Sequence, residues 1–332
     1  MSQIIINKWP RYCTALQRHA IFHYRKLPPV LCLKWTPSSP LRNAFPQFSR
    51  DRWTAELRPR VHFPSLSQLF SSLTLLNKLP MTSTSLNKKM ELCIESISQP
   101  DDIYRAFDAI SRAFGRQAQD GLWVAMNPGW DTVRGREIGT ARMVSRWRET
   151  SKDSHGNPNV VFLKATLPSP DQGPRVIAGF AIWLQASAVP GHGEPPMENL
   201  KEAMNLEALC PGNEPEQRYL SQAIGSLHRR RNEVIKEKAT DSIPAVMILD
   251  MCAVDPDYQR KGIAKALVQW GLDEAKRRGI PECITEASAM GRHVYLKMGF
   301  KPEGSEISYA VDAEFADRDR PLNLFMRTGN PV

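Results

Sequence analysis

The most informative part of the sequence is residues 250–270, DMCAVDPDYQRKGIAKALVQW. Its apolar run ends at Val254, Pro256 marks a turn, and a helical pattern follows Gly262. The first turn of a helix leaves backbone N–H groups without partners and carries partial positive charge, which favours a phosphate group there. Because Gly262 lacks a Cβ, a diphosphate can approach its backbone closely. The strand, turn and helix therefore predict an anion-binding cradle.

The side chains around this cradle fit the same interpretation. Arg260, Lys261 and Lys265 favour a polyanionic ligand, and the small Ala264 lets the helix pack close to the preceding strand. The segment is not a Walker loop, because no Gly-Lys-Ser/Thr follows a four-residue gap, and it lacks the glycine spacing of a Rossmann fingerprint. The alternative interpretation is an amphipathic surface helix that happens to contain a glycine, so the segment alone is only moderately specific.

Strand and helix patterns alternate on both sides of the cradle. Strands are predicted at residues 90–97, 160–167, 175–184, 245–254, 282–287, 307–311 and 322–328. Helices are predicted at residues 98–114 and 136–149, after Gly262 as far as Gly279, and just before Gly299. Residues 185–242 change character to Pro/Gly turns and charged helical stretches at 197–209 and 214–238, which we interpret as an insertion. The order predicts a mixed α/β (α+β) fold.

Composition separates a basic leader from a nearly neutral body. Residues 1–80 carry 12 Lys/Arg and two acids, Asp51 and Glu56, whereas residues 81–332 carry 32 basic and 33 acidic side chains. We therefore predict a disordered, basic extension at 1–80 and one domain at 81–332, and we do not expect nucleic acid as a partner. No run approaches the roughly 18 apolar residues of a membrane span, so membrane proteins are excluded.

The cysteines bear on the compartment. All six are far apart and form no CxxC pair, which favours a reducing compartment over a disulfide framework or a zinc site. We expect a cytoplasmic protein without a metal, and mitochondrial import is the alternative if residues 1–80 act as a transit peptide.

Two motifs together resemble the GNAT superfamily of acyl-CoA-dependent N-acyltransferases. QRKGIA at residues 259–264 matches the pattern Gln/Arg-x-x-Gly-x-Gly/Ala, and about thirty residues later Tyr295 stands four positions before Gly299-Phe300. The resemblance covers roughly residues 91–327, with its specific motifs inside 248–300. The chain departs from the commonest pattern at Ala264, where a second glycine is usual, and in the long segment before the motif strand.

The resemblance implies a mixed sheet of about six to seven strands, flanked by helices and splayed open at an acetyl-CoA cleft. Acetyl-CoA is then a co-substrate whose pantetheine arm pairs with strand backbone and whose diphosphate lies on the cradle. The implied cofactor-binding residues are Cys252, Ala253, Val254, Gln259, Arg260, Lys261, Gly262, Ile263 and Ala264. As a side chain, Cys252 is also explained by the packing of a small residue on a strand.

The resemblance also implies two catalytic residues, Asp250 and Tyr295. An alkyl amine has a pKa of about 10.4, so a base, direct or through water, must collect its proton before it attacks a thioester. Asp250 lies in the apolar run VMILDMCAV, where it is either that base or one half of an ion pair. Tyr295 fits a donor to the departing CoA thiolate, and a core tyrosine with a satisfied hydroxyl is the alternative.

Other polar and aromatic candidates have simpler interpretations. His228 and the run Arg229–Arg231 are expected on a charged helix surface. Trp123, Trp130 and Trp183 line the acceptor pocket or act as hydrophobic cover. The prediction is an acyltransferase that moves an acetyl group from acetyl-CoA to a primary amine of a small molecule or peptide, in a direct ternary complex. The alternative is a non-catalytic acyl-CoA-binding or regulatory module; the acceptor and the oligomeric state stay open.

Overall fold

The computed structural model describes residues 91–329. The predicted extension at residues 1–80 lies outside the described residues, and the domain boundaries stay a prediction. The strands are β1 (Cys93–Ser96), β2 (Val160–Leu167), β3 (Val176–Ala186), β4 (Val246–Val254), β5 (Cys283–Ser288), β6 (Lys301–Glu306) and β7 (Asn323–Arg327). The helices are α1 (Pro100–Ile110), α2 (Gly121–Met126), α3 (Val133–Arg148), α4 (Leu200–Ala203), α5 (Leu206–Leu209), α6 (Glu214–Glu237), α7 (Ile263–Arg277) and α8 (Arg292–Lys297).

The seven strands form one open mixed sheet in the order β1-β2-β3-β4-β5-β7-β6. Every neighbouring pair is antiparallel except β4 and β5, which run parallel because α7 returns the chain across one face of the sheet. The predicted fold class, a mixed sheet of six to seven strands flanked by helices, is confirmed.

The parallel strands β4 and β5 separate soon after they meet. Only Met247–Cys283 and Ile248–Ile284 are in register, and the Thr285 hydroxyl then donates to the Leu249 carbonyl at 2.9 Å. A β-bulge accompanies this separation, because β3 pairs Ile182 with Met251 and Trp183 with Leu249, which leaves Asp250 opposite no residue. The far half of β4, from Asp250 to Val254, therefore has β3 on one side and the opening toward β5 on the other. We call this opening the splay.

Helices cover both faces of the sheet. α7 packs Ile263, Leu267 and Val268 into the core on one face. Gly271 allows α7 to approach closely, because a Cβ there would overlap the ring of the fully buried Trp183. On the other face α1 and α3 cover one half of the sheet, and α6 packs Val234 and Ile235 over the half that contains β5 and β7. None of the helices within residues 91–329 combines the length and apolar character needed to cross a bilayer.

Two predicted elements differ from the structure. The predicted strand at 307–311 is wrong, because the edge strand is β6 at Lys301–Glu306. The segment after β6 is bound to α6, whose Ser226 hydroxyl accepts from Ala310 N at 2.9 Å. The single helix predicted at 197–209 is two short helices, since Asn205 adopts the left-handed conformation (φ 48°) and starts a new one.

Candidate active site

The start of α7 is built as an open anion-binding turn. Gly262 precedes the helix with φ 83° and Arg260 has φ 63°, so both backbones are left-handed. No side chain caps the helix, and among the described residues the N–H groups of Gly262, Ile263 and Ala264 donate to no backbone carbonyl. A Cβ placed on Gly262 would meet no atom within 4 Å. The N–H groups are therefore free beside open space, and they fit the diphosphate of an acyl-CoA.

The side chains in this turn are less available than its backbone. Lys261 Nζ lies 4.7 Å from the centroid of the Tyr258 ring and donates to the Asp257 carbonyl at 3.2 Å. The Gln259 amide donates to the Val254 carbonyl at 3.1 Å. The side chains of the predicted binding residues Gln259 and Lys261 thus bind within the turn and shape it. The Lys261 ammonium group, which was expected to add positive charge for the ligand, is instead bound within the turn.

The strand that leads to the turn offers backbone groups to the splay. Cys252, Ala253 and Val254 pair with β3 on one side, opposite Ala181, Phe180 and Gly179. On its other side β5 has already diverged, so within residues 91–329 no strand pairs with that second edge of the segment. An extended ligand can therefore add to β4 as a further strand, as the predicted pantetheine contact requires.

Tyr295 and Cys252 face each other across the splay. Tyr295 belongs to α8 and is buried, with its ring 5.9 Å from that of Phe300. Burial raises the pKa of the Cys252 thiol to about 12, and the nearby Tyr295 hydroxyl opposes this rise. Burial, with the neighbouring Cys252, raises the pKa of Tyr295 well above its usual value. Both groups stay protonated at neutral pH, so Cys252 is not a thiolate nucleophile and Tyr295 is a hydrogen-bond donor.

Gly291 determines where the Tyr295 ring lies. It stands directly before α8, and a Cβ on it would come within 2.7 Å of Tyr295 Cε2 and 3.1 Å of the hydroxyl oxygen. Only a residue without a side chain leaves the ring in this place. Gly291 is a positioning residue that the sequence analysis missed, because the flanking residues AMGRH give no sign of the close contact.

Asp250 lies at the bulge between two arginines. Arg231 Nη1 donates to its Oδ1 at 2.6 Å, and Arg146 Nη2 donates to its Oδ2 at 2.8 Å. Burial alone would raise the pKa of Asp250, but the guanidinium groups of Arg146 and Arg231 outweigh it and lower that pKa. Of the two alternatives for Asp250, these contacts favour the ion pair.

Arg231 bridges the splay itself. While one end of its guanidinium binds Asp250 on β4, Nε donates to Glu286 on β5 at 3.0 Å, and Nη2 makes a second bond to the same carboxylate. The arginine side chain is 4% exposed, so the expected charged surface is wrong for Arg231. Arg231 lies three positions before Val234 and seven after Ile224, both buried, and this helical spacing is the signal that places it on the inner face of α6.

His228 and the three tryptophans singled out from the sequence are partly or wholly buried. His228 lies one turn before Arg231, burial lowers its pKa to about 3, and its buried Nδ1 has no partner within the described residues. Trp183 is buried beneath α7, which favours its role as hydrophobic cover. Trp123 is buried as well and packs against Phe114 at 6.0 Å and Trp130 at 5.8 Å.

One family model matches the chain, over a segment that contains most of this site. Residues 222–302 match a family model described as an Acetyltransferase (GNAT) domain. The predicted resemblance to the GNAT superfamily is confirmed over these residues by this match, which supports acyl transfer in general. The matched segment begins at Gln222, inside α6 and within the stretch interpreted as an insertion. No curated protein sequence matches the chain.

Several solved structures are similar to the chain at low sequence identity. A mosquito arylalkylamine N-acetyltransferase like 5b is 14% identical, with a TM-score of 0.46, and the match covers 71% of this chain and 99% of that one. Arylalkylamine N-acetyltransferase 2 from Aedes aegypti is 17% identical, with a TM-score of 0.45 and coverage of 71% and 98%. PaiA N-acetyltransferase from Thermoplasma acidophilum, in complex with coenzyme A, is 14% identical, with a TM-score of 0.36 and coverage of 73% and 100%.

Proposed function

We propose that the protein is an N-acetyltransferase that moves an acetyl group from acetyl-CoA to a primary amine in a ternary complex. The observation that carries the proposal is the uncapped helix start at Gly262, which lies directly beyond the unpaired edge of β4. A strand edge followed by a phosphate site suits a ligand that has a diphosphate at one end and an amide-containing arm at the other.

The proposed co-substrate is held mainly by backbone. The N–H groups of Gly262, Ile263 and Ala264 and of the residues just before them bind the diphosphate, whereas the Gln259 N–H donates to the Pro256 carbonyl at 3.4 Å. The free edge of Cys252, Ala253 and Val254 pairs with the pantetheine arm. When bound, acetyl-CoA supplies the thioester carbonyl that the amine attacks. The splay narrows toward the pairing of Ile248 with Ile284, so the acyl end lies beside Cys252 and Tyr295.

Tyr295 acts on the leaving group in this proposal. As the amine nitrogen bonds to the carbonyl carbon, the C–S bond breaks and negative charge develops on sulfur. The Tyr295 hydroxyl donates a hydrogen bond to that charge. Because its pKa is raised well above 10 and a thiol has a pKa of about 8.5, the phenol keeps its proton and stabilises the thiolate without fully protonating it.

Asp250 does not take the amine proton directly in this proposal. Its two oxygens are bound by Arg231 and Arg146, and a carboxylate with a lowered pKa is a weak base. We assign to Asp250, with Arg231, the role of fixing the width of the splay. The amine gives up its proton to water, directly or through the solvent-exposed edge of the site. The acceptor is a small-molecule or peptide amine, and a cytoplasmic location stays a prediction.

The two αL glycines at either end of α7 provide the test of co-substrate binding. Gly262→Val places a side chain where the diphosphate approaches, and Gly279→Val is its control. Both positions have positive φ (83° and 72°) and open space around a Cβ, so both variants carry the same kind of backbone strain. We expect calorimetry to show that Gly262→Val loses acetyl-CoA binding at least tenfold and Gly279→Val retains it.

Turnover is tested separately from binding. The full chain is incubated with acetyl-CoA and a library of primary amines, and the release of free thiol is measured. Amine-dependent release supports the proposed transferase. Tight acetyl-CoA binding with no release for any amine would favour the alternative, a non-catalytic acyl-CoA-binding module. Equal acetyl-CoA affinity of Gly262→Val and wild type would contradict the cradle.

A further inference from the structure

α1 does not end as an α-helix. From Ser111 to Gln117 the chain continues as a π-helix, and Ala118 N donates to the carbonyl of Ala113, five residues back, at 2.9 Å. In an α-helix, residues five apart point about 140° away from each other, since each residue turns by about 100°. In a turn closed by i→i+5 bonds they follow one another along the same face. The π-helix therefore places Arg112 and Gln117 on one side.

That side contacts the loop between β4 and α7. The two Nη atoms of Arg112 bind different carboxylates, Asp255 at 2.8 Å and Asp257 at 2.6 Å. Gln117 exchanges two hydrogen bonds with the Gln259 side chain, at 3.1 and 2.6 Å. Four contacts thus join the π-helix to the residues that lead into the left-handed turn at Arg260 and Gly262.

Asp255 and Asp257 explain why a cation is needed beside the β4–α7 loop. Asp255 is buried and its carboxylate accepts from Asp257 N at 3.0 Å, so it fixes the turn after β4. Asp257 is mostly exposed and lies three positions before Arg260. Without a compensating charge, two carboxylates would stand beside the position of a diphosphate and repel it. Arg112 pairs with both, and these bonds in turn raise its pKa.

We propose that Arg112 and Gln117 are positioning residues that hold the β4–α7 loop in the shape that binds the acyl-CoA diphosphate, with Arg112 cancelling the repulsion from Asp255 and Asp257. This inference rests on the proposed function. It assigns to the π-helix a purpose that its sequence, SRAFGRQ, does not suggest. Neither residue contacts the reacting atoms, so their removal acts on co-substrate binding.

The test compares ligands with and without the diphosphate. Arg112→Gln removes the charge, and Arg136→Gln is its control, since Arg136 forms an exposed ion pair with Asp108 away from the loop. We expect Arg112→Gln to bind CoA about three- to tenfold more weakly by calorimetry, because two partly exposed ion pairs are lost together. Thermal stabilisation by millimolar pantetheine, which lacks the diphosphate, stays unchanged. Gln117→Leu shows the same selectivity, and Arg136→Gln behaves like wild type.

Removing the repelling carboxylate charge of Asp257 as well should restore CoA binding. We expect Arg112→Gln/Asp257→Asn to recover most of the lost CoA affinity, and we expect the Arg112→Gln defect to shrink at high salt, where charges are screened. A merely structural role would weaken CoA and pantetheine equally and would show no rescue. Either that pattern or CoA affinity of Arg112→Gln within twofold of wild type overturns the inference. If the wild type itself binds no CoA derivative, the proposed function fails first.

Discussion

Replacing Arg231 with methionine should destabilise the domain strongly. The arginine side chain is 4% exposed, and its partners Asp250 and Glu286 are 13% and 4% exposed. Removing one member of a buried ion pair leaves an uncompensated charge and costs about 3–5 kcal/mol. For a domain of this size, each kcal/mol lowers the melting temperature by about 2–4 °C. We therefore expect Arg231→Met to melt about 6–20 °C below wild type at pH 7.

The loss of stability caused by Arg231→Met should depend on pH in a defined direction. The pKa of Asp250 is lowered in the folded protein, so its ion pairs contribute stability above its unfolded pKa of about 3.9, and that stability is lost as pH falls through the folded value. Without Arg231 the buried carboxylate loses a partner and binds a proton at higher pH. The difference in unfolding free energy between wild type and Arg231→Met should therefore be largest near pH 7 and shrink toward pH 4.

Urea unfolding of the full chain at pH 7 and pH 4.5 measures both effects. Arg229→Met is the matched control, because Arg229 is exposed on the same helix and should cost less than about 0.5 kcal/mol. A loss below about 1 kcal/mol for Arg231→Met at pH 7 would contradict a buried ion pair of this strength. So would a loss of equal size at both pH values, because a cavity alone does not titrate.

Two further predictions concern Tyr295. Tyr295→Phe should lower kcat about 100- to 1000-fold with an unchanged KM for acetyl-CoA, since only the donor to the developing thiolate is lost; Tyr309→Phe, whose buried hydroxyl has no partner within the described residues, is the control. Gly291→Ala should lower kcat by a similar factor, because its Cβ would displace the Tyr295 ring, and the double variant should lose little more than either single one. Additive losses in steady-state kinetics would place the two residues in separate roles.

Local chemistry explains what could be predicted from the sequence. Within residues 250–270 the sequence shows the end of an apolar run, a proline turn and a glycine before a helical pattern. In the structure these are β4, a turn and α7. The position of Tyr295 follows from its spacing to Gly299-Phe300. These features need only short-range information and a resemblance, because turn and helix signals act over a few residues.

The contacts that organise the site join residues far apart in the chain. Arg231 reaches Glu286 across 55 residues, and Arg112 reaches Asp255 across 143. Composition marked residues 185–242 as an insertion within the domain because they are rich in turns and charge. In the structure α6 carries Leu220, Val234 and Ile235 into buried positions and Arg231 into the splay. Tertiary packing, which a single sequence does not reveal, decides which charged residues of a helix are buried.

The wrong prediction of a strand at 307–311 has a similar cause. ISYAV is apolar and β-branched enough to suggest a strand. Yet Tyr309 and Val311 pack with the α6 cluster, and Asp312 N donates to the Gln222 side chain at 2.9 Å. The polar KPEGSE, with a proline and a glycine, forms the edge strand instead, as exposed edges tolerate.

The charges around the splay bear on how an acceptor amine is selected. Asp250 and Glu286 are the acids nearest to the opening, and Arg231 and Arg146 bind them. With two carboxylates and two guanidinium groups, the cluster has no net charge. In the proposed reaction, a protonated amine would therefore gain little Coulomb attraction at this cluster while losing hydration, and the neutral amine, which is also the nucleophile, would be favoured. On that proposal the ion pairs select the reactive protonation state by making the charged one costly, and discrimination among amines would fall to the rest of the acceptor side.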